Sequence, residues 1–197
     1  MSKKRMVVIG IAAVVAIIII KGMTSTSEGV GSSVGSATEA AQPASNDKWR
    51  VTETRSAMDD SKGMLLSLDS EDVIQGPMGA MRPSLKIRCQ EGNTDTYVVT
   101  GMPADVEEDL DGGPSDTHTV RTRLDDAPPQ TEPWFESTDH TGLFGGGQEL
   151  AKALSKASTY TFQFTPFDGS PQTMRFDVRG LDSHLHKLAD ACGWGYE

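Results

Sequence analysis

From residue 48 onward the sequence is built of short runs in which apolar and polar residues alternate, each run closed by turn residues. A period of two puts alternate side chains on opposite faces of a strand, so such runs constrain the chain to a sheet with one buried face. Leu85–Cys89 (LKIRC) sets Leu85, Ile87 and Cys89 on one face, and the turn Glu91–Gly92–Asn93 leads to a partner at Thr96–Thr100 (TYVVT). Lys48–Arg55 (KWRVTETR) and Met64–Leu68 (MLLSL) read as a second hairpin, separated by a turn-rich stretch. Thr117–Leu124 (THTVRTRL) puts His118, Val120, Thr122 and Leu124 on one face, and a short strand starts at Trp134 and Phe135 and ends at Asp139. Tyr160–Phe164 (YTFQF) and Met174–Val178 (MRFDV) form a hairpin around Pro166–Pro171. Two stretches carry helical spacing instead: Leu150, Ala151 and Leu154, and Leu181, Leu185 and Leu188 within Leu181–Ala191. The acidic, Gly- and Pro-containing stretch from Pro103 to Asp116 reads as an exposed loop. GLFGGGQE has glycines but no phosphate-binding lysine, and reads as a flexible turn. The expected fold is mostly β: an antiparallel β-sandwich or barrel-like domain of about eight strands with two short helices.

Residues 1–47 have a different character. Residues 1–5 form a basic N-terminus, and Met6 to Ile20 is an uncharged apolar run. As a helix that run spans about 23 Å, short of the ~30 Å hydrocarbon core. Lys21 follows directly and lengthens the span by snorkelling, so residues 6–22 read as a transmembrane anchor or uncleaved signal, with a cleaved signal peptide as the alternative. Three basic residues precede the run and one lysine follows it, which keeps the N-terminus cytoplasmic and sends the rest outward. Residues 23–47 are mostly Ser, Gly, Ala and Thr and read as a flexible linker to the domain at 48–197. The expected location is the inner membrane, single-pass with the C-terminal domain periplasmic, or periplasmic and secreted if the leader is cleaved.

Export bears on the charge and on the cysteines. The formal net charge is -10, and without the four basic residues of the leader 14 basic residues face 28 acidic ones. So acidic a domain repels phosphate backbones, which excludes nucleic acid as the expected partner. In an oxidising compartment the two cysteines, Cys89 and Cys192, are expected to pair as a disulfide. Neither is flanked by further ligands at metal-site spacing, and no metal or cofactor is expected.

Several polar groups are candidates for chemistry, each with a plainer alternative. Asp59 and Asp60 are adjacent carboxylates in a turn, suited to a cation or to acid–base work, but also to capping the turn. Ser137, Asp139 and His140 contain the residue types of a hydrolase triad, although such groups normally converge from separate elements. His184 and His186 are two apart and diverge by roughly 200° on a helix, leaving His186 with Asp190 as a weak pair. Arg88, Arg121 and Arg123 are expected to face acids such as Asp125 and Asp139, or else to receive an anionic ligand.

A set of landmarks recurs in order: Trp49, then Ser56, Met58, Asp59 and Asp60, then R-P-S-L-K-I-R-C (Arg82 to Cys89). R-x-R-L-D (Arg121 to Asp125) follows, W-x-x-S-T-D (Trp134 to Asp139) precedes Leu143–Phe144, and F-D-V-R-G-L (Phe176 to Leu181) precedes Cys192–Gly193–Trp194. This order resembles the type VI secretion-associated accessory family VasI/TagO, over nearly the whole span from Trp49 to Trp194. The resemblance implies a non-enzymatic envelope accessory or binding domain, with envelope or secretion-apparatus proteins as partners and the membrane reached through the N-terminal helix. It supplies no catalytic residues and implies a structural bridge between the two cysteines. The alternatives are an envelope hydrolase acting on peptidoglycan or glycan, and a phage- or prophage-encoded envelope protein of the same fold.

Overall fold

A computed structural model describes residues 47–56, 58, 60–76, 79–107 and 115–196. The anchor and nearly all of the linker expected from the sequence lie outside these residues. Among the described residues no helix is long and apolar enough to cross a membrane.

In chain order the elements are β1 (Arg50–Arg55), β2 (Lys62–Asp69), β3 (Ile74–Gly76), β4 (Gly79–Met81), β5 (Ser84–Gln90), β6 (Asn93–Val99) and β7 (Thr117–Leu124). They continue with β8 (Gln130–Glu136), β9 (Gly142–Gly146), α1 (Gln148–Ser155), β10 (Thr159–Phe164), β11 (Gln172–Asp177) and α2 (Leu181–Cys192). Nine strands form one antiparallel sheet in the order β1-β2-β5-β6-β9-β8-β7-β10-β11, and β3 and β4 form a separate small hairpin.

One face of the large sheet is largely apolar, with Thr96, His118 and Thr122 buried on it as well. Leu66 and Leu68 of β2, Leu85, Ile87 and Cys89 of β5, Tyr160, Phe162 and Phe164 of β10, and Met174 and Phe176 of β11 are all buried. Alternation along each strand produces this face. The helices lie over part of it: α2 contributes Leu181, Leu185 and Leu188 and packs on β2 and β5, while α1 contributes Ala151 and Leu154. Gly193 ends α2 at φ 72°, where a side chain would be strained, and lets Trp194 N–H close the last turn onto the Ala189 carbonyl at 3.1 Å. Cys192, in the last position of α2, is bonded to Cys89 on β5, with Cα atoms 5.6 Å apart, so the bridge ties the helix to the sheet.

The barrel-like expectation is corrected by the edges. β1 and β11 end the strand order without pairing to each other. Instead the segment after β2 reaches across, with Glu71 N–H donating to the Arg175 carbonyl at 2.8 Å and Asp72 accepting from the Arg175 guanidinium at 3.1 Å. GLFGG is not a turn but β9, a central strand between β6 and β8. Its Gly145 lies opposite Trp134, whose ring would be about 1.9 Å from any Cβ placed there. β8 begins at Gln130 and stops at Glu136, so Ser137–His140 is a turn. The stretch expected as an exposed loop from Pro103 is packed at its start: Ala104 is buried and bridges to Pro166.

The start of the domain is fastened to its far edge. Trp49 is buried and its ring N–H donates to the Val178 carbonyl at 3.3 Å, while Lys48 Nζ lies 2.9 Å from Asp177. Arg179 adds two bonds to the same carboxylate, at 2.6 and 2.7 Å. The side chain of Asp177 is only 7% exposed, and Arg179 first, then Lys48, hold its carboxyl well below the ordinary range. A depressed folded-state value contributes stability above the ordinary carboxylate pKa of about 3.9, and that contribution is lost as pH falls below it. Asp177→Asn is therefore expected to cost about 1–2 kcal/mol at pH 7. Urea unfolding of both proteins should show the difference shrinking between about pH 4 and pH 2.5; a pH-independent difference would contradict this role.

Candidate functional site

Ser137, Asp139 and His140 do come together, but as a turn. The Ser137 hydroxyl donates to Asp139 Oδ1 at 2.6 Å and accepts the Gly142 N–H at 2.9 Å. Asp139 Oδ1 also receives the Thr141 N–H at 3.1 Å and its hydroxyl at 2.8 Å. These bonds, the one from Ser137 foremost, hold the Asp139 carboxyl below its usual range. His140 occupies the left-handed region at φ 57°, and its Nδ1 is 2.5 Å from Glu136 Oε2. The candidate nucleophile thus spends its proton on Asp139, and the imidazole is bonded to a different carboxylate. A triad needs the reverse arrangement, with the base accepting from the hydroxyl and an acid orienting the base.

The carboxylate that holds His140 was not among the sequence candidates. Glu136 ends β8 on the inner face with its side chain 14% exposed; Oε1 accepts the Ala104 N–H at 2.7 Å, and Oε2 lies 3.9 Å from His118 Nε2. His118, on β7, has its Nδ1 2.7 Å from the Asp105 carbonyl, which can only accept, so Nδ1 carries a proton. One carboxylate and two imidazoles join β7, β8 and the segment around Ala104. The register that sets Thr117 opposite Phe135 and His118 opposite Trp134 brings them together. His118 was legible as an inward residue; Glu136, two residues after Trp134, shares the Trp134 face by the same alternation.

The remaining candidates stay apart. Asp60 is exposed at φ 59° and pairs with Arg55 at 3.3 Å, while Asp59 lies outside the described residues. The arginines have different partners from those expected: Arg88 pairs with Asp95 at 2.6 Å, Arg123 with Asp126 at 3.2 Å, and Arg121 reaches Gln163 at 3.4 Å. Asp125 instead accepts the backbone N–H groups of Ser158 and Thr159. His184 bonds Asp47 at 2.6 Å and His186 packs edge-on against Tyr196, so they do not converge. Among the described residues no group of three or more His, Cys, Asp or Glu side chains is placed to hold a metal ion.

Two surface features are left. On the outer face, Tyr97 and Phe144 stack at 4.3 Å with the Arg88 guanidinium 5.6 Å and 5.8 Å from their centroids, and Phe135, in register with Phe144, is 59% exposed. Burial pushes the Tyr97 phenol up. Beside β1, a groove of about 570 Å³ runs between the edge strand and α2, lined by Glu53, Arg55, Lys62, Met64, Lys187 and Asp190 among others. Every residue of β1 is exposed, because α2 packs on β2 and β5 and stops short of the edge.

Comparison with protein-family models, with curated proteins and with solved structures finds no match to this chain.

Proposed function

We propose that residues 48–197 form a non-enzymatic binding domain of the cell envelope, held outside the cytoplasmic membrane behind the N-terminal apolar segment and serving a secretion apparatus of the type VI kind. The observation that carries the non-enzymatic part is the position of Ser137, whose hydroxyl is bonded to Asp139 while His140 is bonded to Glu136. The bridge between Cys89 and Cys192 supports an oxidising compartment. The basic residues ahead of the apolar run support the outward orientation of the domain. The ordered motifs from Trp49 to Trp194 that resemble VasI/TagO support the secretion setting.

The test sets the purified protein against isolated peptidoglycan and measures soluble fragments and new reducing ends. No release above buffer is expected. Ser137→Ala, Asp139→Asn and His140→Ala are each expected to restore the phenotype of a deletion strain as well as the unaltered chain does. Release that any of the three substitutions abolishes would establish the envelope-hydrolase reading instead.

A further inference from the structure

Glu136 meets two imidazoles, His118 and His140, and among the described residues it forms no ion pair with a lysine or arginine. The two imidazoles meet it differently. His140 needs no extra proton for its bond, because its Nδ1–H donates to Glu136 Oε2 in the neutral ring as in the charged one. His118 does need one. The proton of its neutral ring is committed to the Asp105 carbonyl, so Nε2 turns a lone pair toward Oε2 at 3.9 Å, acceptor against acceptor. A second proton converts this face-off into a charge-assisted contact. The two side chains are only 10% and 14% exposed, so water screens that contact little.

The same two side chains hold the chain where it leaves β6 for β7. Glu136 accepts the Ala104 N–H at 2.7 Å, and His118 donates to the Asp105 carbonyl. The other charged groups nearby are engaged elsewhere. On β8, Glu132 accepts from Thr122 and Trp134, and in the following turn Asp139 accepts from Ser137 and Thr141. After β6, the Asp105 carboxylate accepts the Val106 N–H and Glu107 accepts from Thr119. Arg121 of β7 reaches Gln163 of β10, which brings no charge of its own. A cavity of about 370 Å³ beside His118, lined by Asp105, Glu107, Arg121 and Phe164 among others, opens a route for the proton.

We propose that His118 and Glu136 form a proton-operated clamp: a proton taken up on His118 closes its Nε2–H onto Glu136 and fastens Ala104 and Asp105 to β7 and β8. Imidazoles titrate near pH 6.5, so the clamp is closed on the acid side and opens as pH rises.

The test is a double-mutant cycle by urea unfolding of the purified protein, His118→Asn, Glu136→Gln and the pair, at about pH 5.5 and about pH 7.5. The cycle cancels every other titration. The coupling between the two positions, read as a ratio of unfolding constants, is expected to be roughly fivefold larger at the lower pH. Equal coupling at both overturns the clamp. Amide exchange at Ala104 gives a second measurement that needs no Glu136 variant. Its protection should fall with rising pH in the unaltered protein and stay level in His118→Asn, whose amide can still donate to the Asp105 carbonyl. Protection that falls equally in both, or a pH-dependent coupling that His140→Ala removes, places the proton elsewhere and overturns the proposal as well.

Discussion

Replacing Cys89 and Cys192 together by alanine is expected to lower the stability of the domain by about 4–5 kcal/mol, because the bridge closes a loop across a sequence separation of 103 residues. Against the ~5–15 kcal/mol typical of whole domains, that is roughly a quarter or more of the total. For a domain of this size it corresponds to a midpoint roughly 15 °C lower. Both sulfurs sit in the core cluster, Cys89 fully buried beneath α2, so the substitution also leaves space there. Urea unfolding of the variant, and of the unaltered protein with and without reductant, measures the effect. Equal midpoints in all three would mean that the native packing of α2 on β2 and β5 does not depend on the bridge.

Trp134→Ala is expected to cost about 3–5 kcal/mol. The ring is fully buried, lies 4.9 Å from Phe162 and donates its N–H to Glu132 at 3.2 Å. Gly145→Ala should also destabilise, by about 1–3 kcal/mol, since its methyl must displace that ring or bend β9. The informative measurement is the double variant. With the ring gone, Gly145→Ala should cost only a few tenths of a kcal/mol, so the pair falls well short of additivity. Additive costs would show that the glycine serves something other than room for Trp134.

The same pair explains what was and was not legible in the amino-acid order. β10 is readable because Tyr160, Phe162 and Phe164 alternate with polar residues and one face is buried. β9 is not, because glycines at 142, 145, 146 and 147 erase the period that marks a strand. Its pairing is imposed from the neighbouring strands, and the glycine at 145 is needed for a tryptophan 11 residues away. β1 misleads in the opposite sense: its alternation predicts half burial, yet all six residues are exposed because burial there depends on where α2 ends. Ser137, Asp139 and His140 were identifiable as neighbours, but the place of His140 depends on Glu136, whose importance comes from contacts to β7 and to Ala104. The residues around the β1 groove carry no motif at all, since an open edge is a property of topology.

The bridge between Cys89 and Cys192 also divides the molecule by its response to proteolysis. Everything from Gln90 to Ala191, with β6 to β11 and both helices, lies inside one covalent ring. A single cut anywhere in that span opens the ring and still leaves one molecule, so the nicked domain has no fragment to lose. β1 to β4 lie outside it. One cut in the turn between β1 and β2 severs β1, and with it every residue before it, from a body that stays closed on itself.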